Sequence, residues 1–90
     1  MITIDQLANA IYQAEGGLGT KHPYGILAHY EHTTPRQACI NTIIHAERTY
    51  HVTVIDRVFI YKLADRYCPP SVDSEGNKNW KKNVVRILHL

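Results

Sequence analysis

Thr3-Ile4-Asp5-Gln6-Leu7-Ala8-Asn9-Ala10-Ile11-Tyr12-Gln13-Ala14-Glu15-Gly16-Gly17 is the stretch whose reading decides the fold. Thr3 with Gln6 three residues on forms a capping box, and Ile2 against Leu7 fits a hydrophobic staple. Ile4, Leu7, Ala8 and Ile11 then recur at the helical period, so the segment predicts an amphipathic helix starting at Thr3. Gly16-Gly17 ends it, because glycine takes the left-handed conformation that a helix C-terminus favours. One residue breaks the pattern. Eleven steps of about 100° from Ile4 bring Glu15 back to within about 20° of the same direction, onto the apolar stripe.

Working outward, Thr34-Pro35-Arg36-Gln37 is a second start signal: a cap, a proline at the first helical position and a glutamine three after the cap. The stripe Cys39, Ile43, Ala46, Tyr50 continues it. A β-rich patch, His51-Val52-Thr53-Val54-Ile55, interrupts. Asp56 caps a third helix carrying Phe59, Ile60, Leu63, Ala64 and Tyr67, and Cys68-Pro69-Pro70 ends it, since proline cannot continue a helix. Residues 71–79 read as a polar loop, and Trp80, Val84, Ile87 and Leu88 mark a final helix. Between the first two helices, residues 16–34 read as a loop with a short extended piece at Tyr24-Gly25-Ile26-Leu27. The expectation is a mainly α single domain over residues 1–90, of about four helices, with that short extended segment lining a cleft.

Composition bounds the function. Ninety residues allow one domain with a small core, and 44% hydrophobic with 20% charged residues is ordinary for a globular protein. This excludes a disordered acidic tail, a collagen-like repeat and a highly charged nucleic-acid arm. A net charge of +2, with six histidines, is too small a bias to argue for nucleic acid, though it suits a polyanionic surface such as a bacterial cell wall. No stretch is long and apolar enough to span a bilayer, and the first residues lack the basic region and cleavage motif of a signal peptide. Cys39 and Cys68 are too few for a disulfide framework and are read as free thiols.

Glu15 carries the chemistry. A carboxylate at the end of a buried stripe is desolvated, which raises its pKa, and the negative end of the helix dipole pushes the same way. Such a group suits general acid catalysis near neutral pH, and the glycines after it let a substrate approach the backbone. The competing reading has Glu15 swing out at the last turn to meet Lys21 or Arg66. A second carboxylate, as two-carboxylate glycosidases need, would come from Glu31, Glu47 or Asp56; solvated or capping roles suit all three, and Asp56 reads as an N-cap. His29-Tyr30-Glu31-His32, with His22 nearby, has two histidines three apart but no HExxH, so neither a metal nor another cofactor is expected. Asp73-Ser74-Glu75-Gly76-Asn77 lacks the frame of a calcium loop and reads as a polar turn. Trp80 has two readings, sugar stacking at a cleft rim or anchoring of the last helix. Lys78, Lys81, Lys82 and Arg86 cluster on that helix, either as a solvated face or as a contact for anionic wall polymer or a phosphate backbone.

Ala14-Glu15-Gly16-Gly17, Tyr24-Gly25-Ile26-Leu27 and Leu63-Ala64-Asp65-Arg66-Tyr67-Cys68-Pro69, in that order, resemble the lysozyme-like lytic transglycosylases. With Cys39-Ile40-Asn41-Thr42-Ile43 and Asn77-Lys78-Asn79-Trp80, the chain is similar to a group of short bacterial lysozyme-like proteins. The resemblance implies cleavage of the β-1,4 bond between N-acetylmuramic acid and N-acetylglucosamine. Glu15 matches the family's catalytic acid. Tyr24, Gly25, Ile26 and Tyr67 match residues around the substrate cleft, Gly16 and Gly17 are substrate-contact candidates because they leave room beside Glu15, and Glu31 follows the cleft segment closely enough to reach inward. It implies a lysozyme-like cleft between the end of the first helix and the helix carrying Tyr67, peptidoglycan strands as partner, and a cell-wall or periplasmic site of action. No nucleic-acid partner and no membrane insertion are expected, and a monomer is the working expectation. Gly16 stands where the family has serine, no glutamine follows Gly25-Ile26-Leu27, and Cys68-Pro69-Pro70 replaces Asn-Ala-Gly. These departures support a second reading, a member that binds glycan without cleaving it. A third is an interaction module of a phage or secretion apparatus.

Overall fold

A computed structural model describes residues 1–16, Tyr24 and 33–90. Among them are four helices and no strand: α1 (Ile4–Ala14), α2 (Pro35–Tyr50), α3 (Arg57–Tyr67) and α4 (Ser74–Ile87). The domain is mainly α, as expected. Residues 25–27 of the extended piece lie outside the described residues.

Each helix begins on a side chain that takes up a backbone N–H left over at the first turn. The Thr3 capping box forms in both directions: Thr3 Oγ1 accepts from Gln6 N at 3.1 Å and Gln6 Oε1 accepts from Thr3 N at 2.8 Å. Thr34 Oγ1 accepts from Gln37 N, while the Gln37 side chain donates along the helix to Asn41. Asp56 accepts from Phe59 N at 2.8 Å, which places this carboxylate in the capping role. Gly16, with φ 95°, ends α1 in the left-handed region.

Two stretches differ from the sequence reading. Residues 74–79 are the opening turns of α4 rather than a polar loop, because Asp73 caps the helix by accepting from Gly76 N at 2.8 Å. The turn-forming character of Gly76 and Asn77 is overridden by that cap and by burial of Asn77. The β-rich patch is a connection. His51 adopts φ 54°, ψ 45° and terminates α2, Val52 N donates to Glu47 O at 2.9 Å, and only Ile55 of the patch is buried.

α4 packs against both α1 and α3, and α1 packs against α2. Leu7, Ile11, Cys39, Ile43, Phe59, Ile60, Leu63 and Val84 are fully buried in one cluster drawn from all four helices. Each large apolar side chain so placed contributes about 1.5–3 kcal/mol. No helix among the described residues is long and apolar enough to cross a membrane.

Candidate functional site at the four-helix junction

The site begins with a tie between α3 and α4. Proline prevents α3 from continuing past Cys68, which leaves carbonyls at the helix end without intrahelical partners. Asn77, one turn into α4 and only 3% exposed, supplies the missing donor: its Nδ2 donates to Cys68 O at 2.9 Å and to Asp65 Oδ1 at 3.0 Å. Asp65 also pairs with Lys81 at 3.4 Å. Three residues after Asn77, on the same face of α4, Trp80 turns inward. Its ring stacks on Tyr67 with centroids 5.3 Å apart and planes 26° apart. At 7% exposure Trp80 anchors the last helix; it is not an open sugar platform.

Glu15 approaches this stack from α1. It sits at the helix C-cap, half-buried, with its backbone N–H donating to Ile11 O at 2.9 Å. Burial raises the Glu15 pKa above the ordinary 4.5, and the indole N–H of Trp80 holds back part of that rise. The indole N–H is itself buried and completes no hydrogen bond. It lies near enough to the carboxyl group to favour the ionised form without completing a hydrogen bond. No cation among the described residues pairs with Glu15: Arg66 is exposed and forms no ion pair with it, and Lys21 lies outside the described residues.

α2 closes the other side. The Tyr67 hydroxyl donates to Cys39 Sγ at 3.2 Å, linking the end of α3 to the first half of α2. Burial pushes the Cys39 thiol pKa up, while the Tyr67 hydroxyl and Arg36 pull it down and Glu15 adds to the rise. Cys68 is likewise pushed up by burial, with smaller contributions from Asp73 and Glu15. Both cysteines are free. The Glu15 charge adds to the raised pKa of both thiols, Cys39 on α2 and Cys68 at the end of α3.

Of the residues singled out from sequence, Glu15 and Tyr67 meet here through Trp80, and Gly16 is the exposed residue that ends α1 beside them. Tyr24 is buried, but its hydroxyl is committed elsewhere. It accepts from Arg36 at 3.1 Å, and the same guanidinium donates to Asn9 at 2.8 Å and to Asp5 at 3.4 Å. Asn9 lies about 9 Å along α1 from Glu15, so the Tyr24 hydroxyl points toward the opposite end of that helix. The Tyr24 ring packs on Tyr12 at 5.1 Å, and these contacts hold a φ of 80° that costs a bulky residue about 1–3 kcal/mol. Gly17, Gly25, Ile26 and Glu31, and the histidines His22, His29 and His32, lie outside the described residues. Glu47 is two turns beyond Cys39 on α2, about 12 Å along the axis, and Asp56 is occupied as the α3 cap.

Two members of the site were not assigned a role from the sequence. In the sequence Asn77 has the chemistry of a turn, and its one signal is its place three before Trp80. Cys39 was read as core, and nothing local marks it as the partner of Tyr67.

Fold and site together define a small mainly α domain, with four helices among the described residues and a half-buried carboxyl group of raised pKa at the end of α1. No family model matches the chain, and neither a curated protein nor a solved structure matches it.

Proposed function

We propose that this chain is a peptidoglycan-cleaving enzyme of the lytic transglycosylase or muramidase type, with Glu15 as its general acid and base. The observation that carries the reading is the Glu15 carboxyl group: at a helix end, half-buried, with a pKa raised by burial and held back in part by the Trp80 indole. A carboxyl group whose pKa is raised by burial holds its proton to higher pH than a solvated one and can deliver it to a leaving oxygen. The indole N–H then favours the carboxylate that remains, so both states of the cycle are provided for. The motif order around Glu15, Tyr67 and Asn77-Lys78-Asn79-Trp80 supplies the substrate class.

The resemblance carries a one-carboxylate route; Asp56 is engaged as the α3 cap, and Glu31 lies outside the described residues. Glu15 donates its proton to the glycosidic oxygen as the bond from that oxygen to C1 of the muramic acid breaks. The carboxylate then removes the proton of the muramic acid C6 hydroxyl. The C6 oxygen closes on C1, giving a 1,6-anhydro end, regenerating protonated Glu15 and consuming no water. The test is digestion of purified peptidoglycan by the wild-type protein and by Glu15→Gln, with released muropeptides followed by mass spectrometry. Anhydro-muropeptides from the wild type alone support the reading. Absence of products from a folded wild-type sample moves the assignment to glycan binding without cleavage.

A further inference from the structure

The net charge of +2 conceals an uneven distribution. Five of the ten Lys and Arg residues line one groove between α3 and α4: Arg57, Lys78, Lys81, Lys82 and Arg86 surround Tyr61 there. We infer that this groove docks a linear polyol-phosphate polymer of the cell wall, held through its phosphodiester groups.

The groups differ in what they are free to do. Arg57 donates to Leu90 O at 2.8 Å, and Lys81 pairs with Asp65 and lies over the Tyr61 ring at 5.2 Å from its centroid. Lys78, Lys82 and Arg86 are exposed, and no carboxylate among the described residues pairs with them. They stand at i, i+4 and i+8, so they form a row along one face of α4 with steps of about 6 Å. Like charges four apart repel and weaken a helix. The only acidic residue in α4 is Glu75, in its first turn. A row of unpaired cations matches a chain of phosphates better than a single anion, since no buried donor among the described residues lines the groove to hold one ion.

The aromatic residue separates two kinds of phosphate chain. Tyr61 is 41% exposed, but Lys81 covers its face. Base stacking, worth about 1–3 kcal/mol per base where a platform is open, would have to compete with that ammonium for the ring. A polyol phosphate brings charge without bases and needs no platform. The choice of a wall polymer as its source rests on the proposed peptidoglycan reading; the charge row itself does not.

The test uses the full chain carrying Glu15→Gln, so that binding is read without turnover. Fluorescently labelled poly(glycerol phosphate) is titrated by anisotropy between 50 and 200 mM salt, with a single-stranded oligonucleotide of equal charge alongside. Three phosphate contacts predict affinity falling about 10- to 20-fold over that range. The triple variant Lys78→Gln, Lys82→Gln, Arg86→Gln is expected to lose at least tenfold at the lower salt while its thermal midpoint stays level or rises. Equal binding by the triple variant, or no binding at low salt, overturns the inference. Tighter binding of the oligonucleotide overturns it in favour of a nucleic-acid surface. Failure of the enzymatic reading would show separately, as absence of muropeptide release by wild-type protein, and leaves the binding curves untouched.

Discussion

Asn77→Ala removes the side chain that hydrogen-bonds the start of α4 to the end of α3. Two hydrogen bonds from Nδ2 disappear, at 2.9 Å to Cys68 O and 3.0 Å to Asp65 Oδ1. The carbonyl has no replacement donor in a site where Asn77 is 3% exposed, and an acceptor left in that state costs about 1–3 kcal/mol. Asp65 keeps Lys81 and has a side chain 52% exposed, so losing its second donor costs about 1 kcal/mol at most. Alanine returns about 0.6 kcal/mol of helix propensity. The net is about 2 kcal/mol, or about 8–16 °C in the midpoint of a domain this size. Urea and thermal unfolding read the loss. Emission of the single tryptophan, Trp80, one turn farther along α4, should shift as its stack on Tyr67 loosens. Asn77→Asp is the sharper variant: it keeps the size, removes the donor and sets a carboxylate against Asp65 and the Cys68 carbonyl. At neutral pH it should be less stable than Asn77→Ala and should recover relative to wild type as pH falls from the raised folded pKa of the new carboxyl group toward the unfolded value of about 4. An alanine variant within about 3 °C of wild type would refute the reasoning, as would an aspartate variant that matches it at neutral pH.

Gly76→Ala, normally a gain of up to about 1 kcal/mol in a helix, should here lower stability by about 1 kcal/mol. A Cβ at that position would run into the Asp73 carboxylate, whose carbon lies 2.8 Å away, and the Cys68 sulfur at 3.1 Å, displacing the α4 cap; a raised thermal midpoint contradicts this. Because the folded pKa of Glu15 is raised, the folded state holds the proton more tightly than the unfolded state. Stability therefore falls as pH rises from about 4.5 through the folded value, and the deficit persists above it. Denaturant midpoints of Glu15→Gln should overtake wild type across that window, and a constant difference between pH 4 and 7 would count against the desolvated carboxyl. Trp80→Phe keeps an aromatic ring on Tyr67 but deletes the N–H that lowers the Glu15 pKa, so the carboxyl-carbon NMR titration of Glu15 should move to higher pH; a midpoint that stays or falls removes the indole from the account.

The parts legible in the sequence are those set by neighbours along the chain. Thr3, Thr34 and Asp56 are caps because a side-chain oxygen three residues before a backbone N–H can reach it, whatever the rest of the molecule does. Glu15 stood out because its direction on α1 follows from counting. The Asp73 cap was hidden by Gly76 and Asn77, which have the chemistry of a turn and are recruited to a helix by contacts with Asp73, Asp65 and Cys68. The β-branched residues 52–55 favour strand locally, yet no partner strand exists among the described residues, and the left-handed His51 turns the chain toward α3 instead. The Trp80 indole facing Glu15 and the Tyr67 hydroxyl on Cys39 join residues far apart in the chain. Such pairings follow from the packing of α1, α2 and α4 around the end of α3, which periodicity alone does not encode.

The central claim is that Glu15 cleaves the glycan by proton transfer without consuming water. Digestion of purified peptidoglycan in heavy-oxygen water tests it most directly. The account predicts 1,6-anhydro ends free of the heavy isotope from the wild type and no products from Glu15→Gln. Heavy oxygen at newly formed reducing ends, or equal product release by the two proteins, would contradict it.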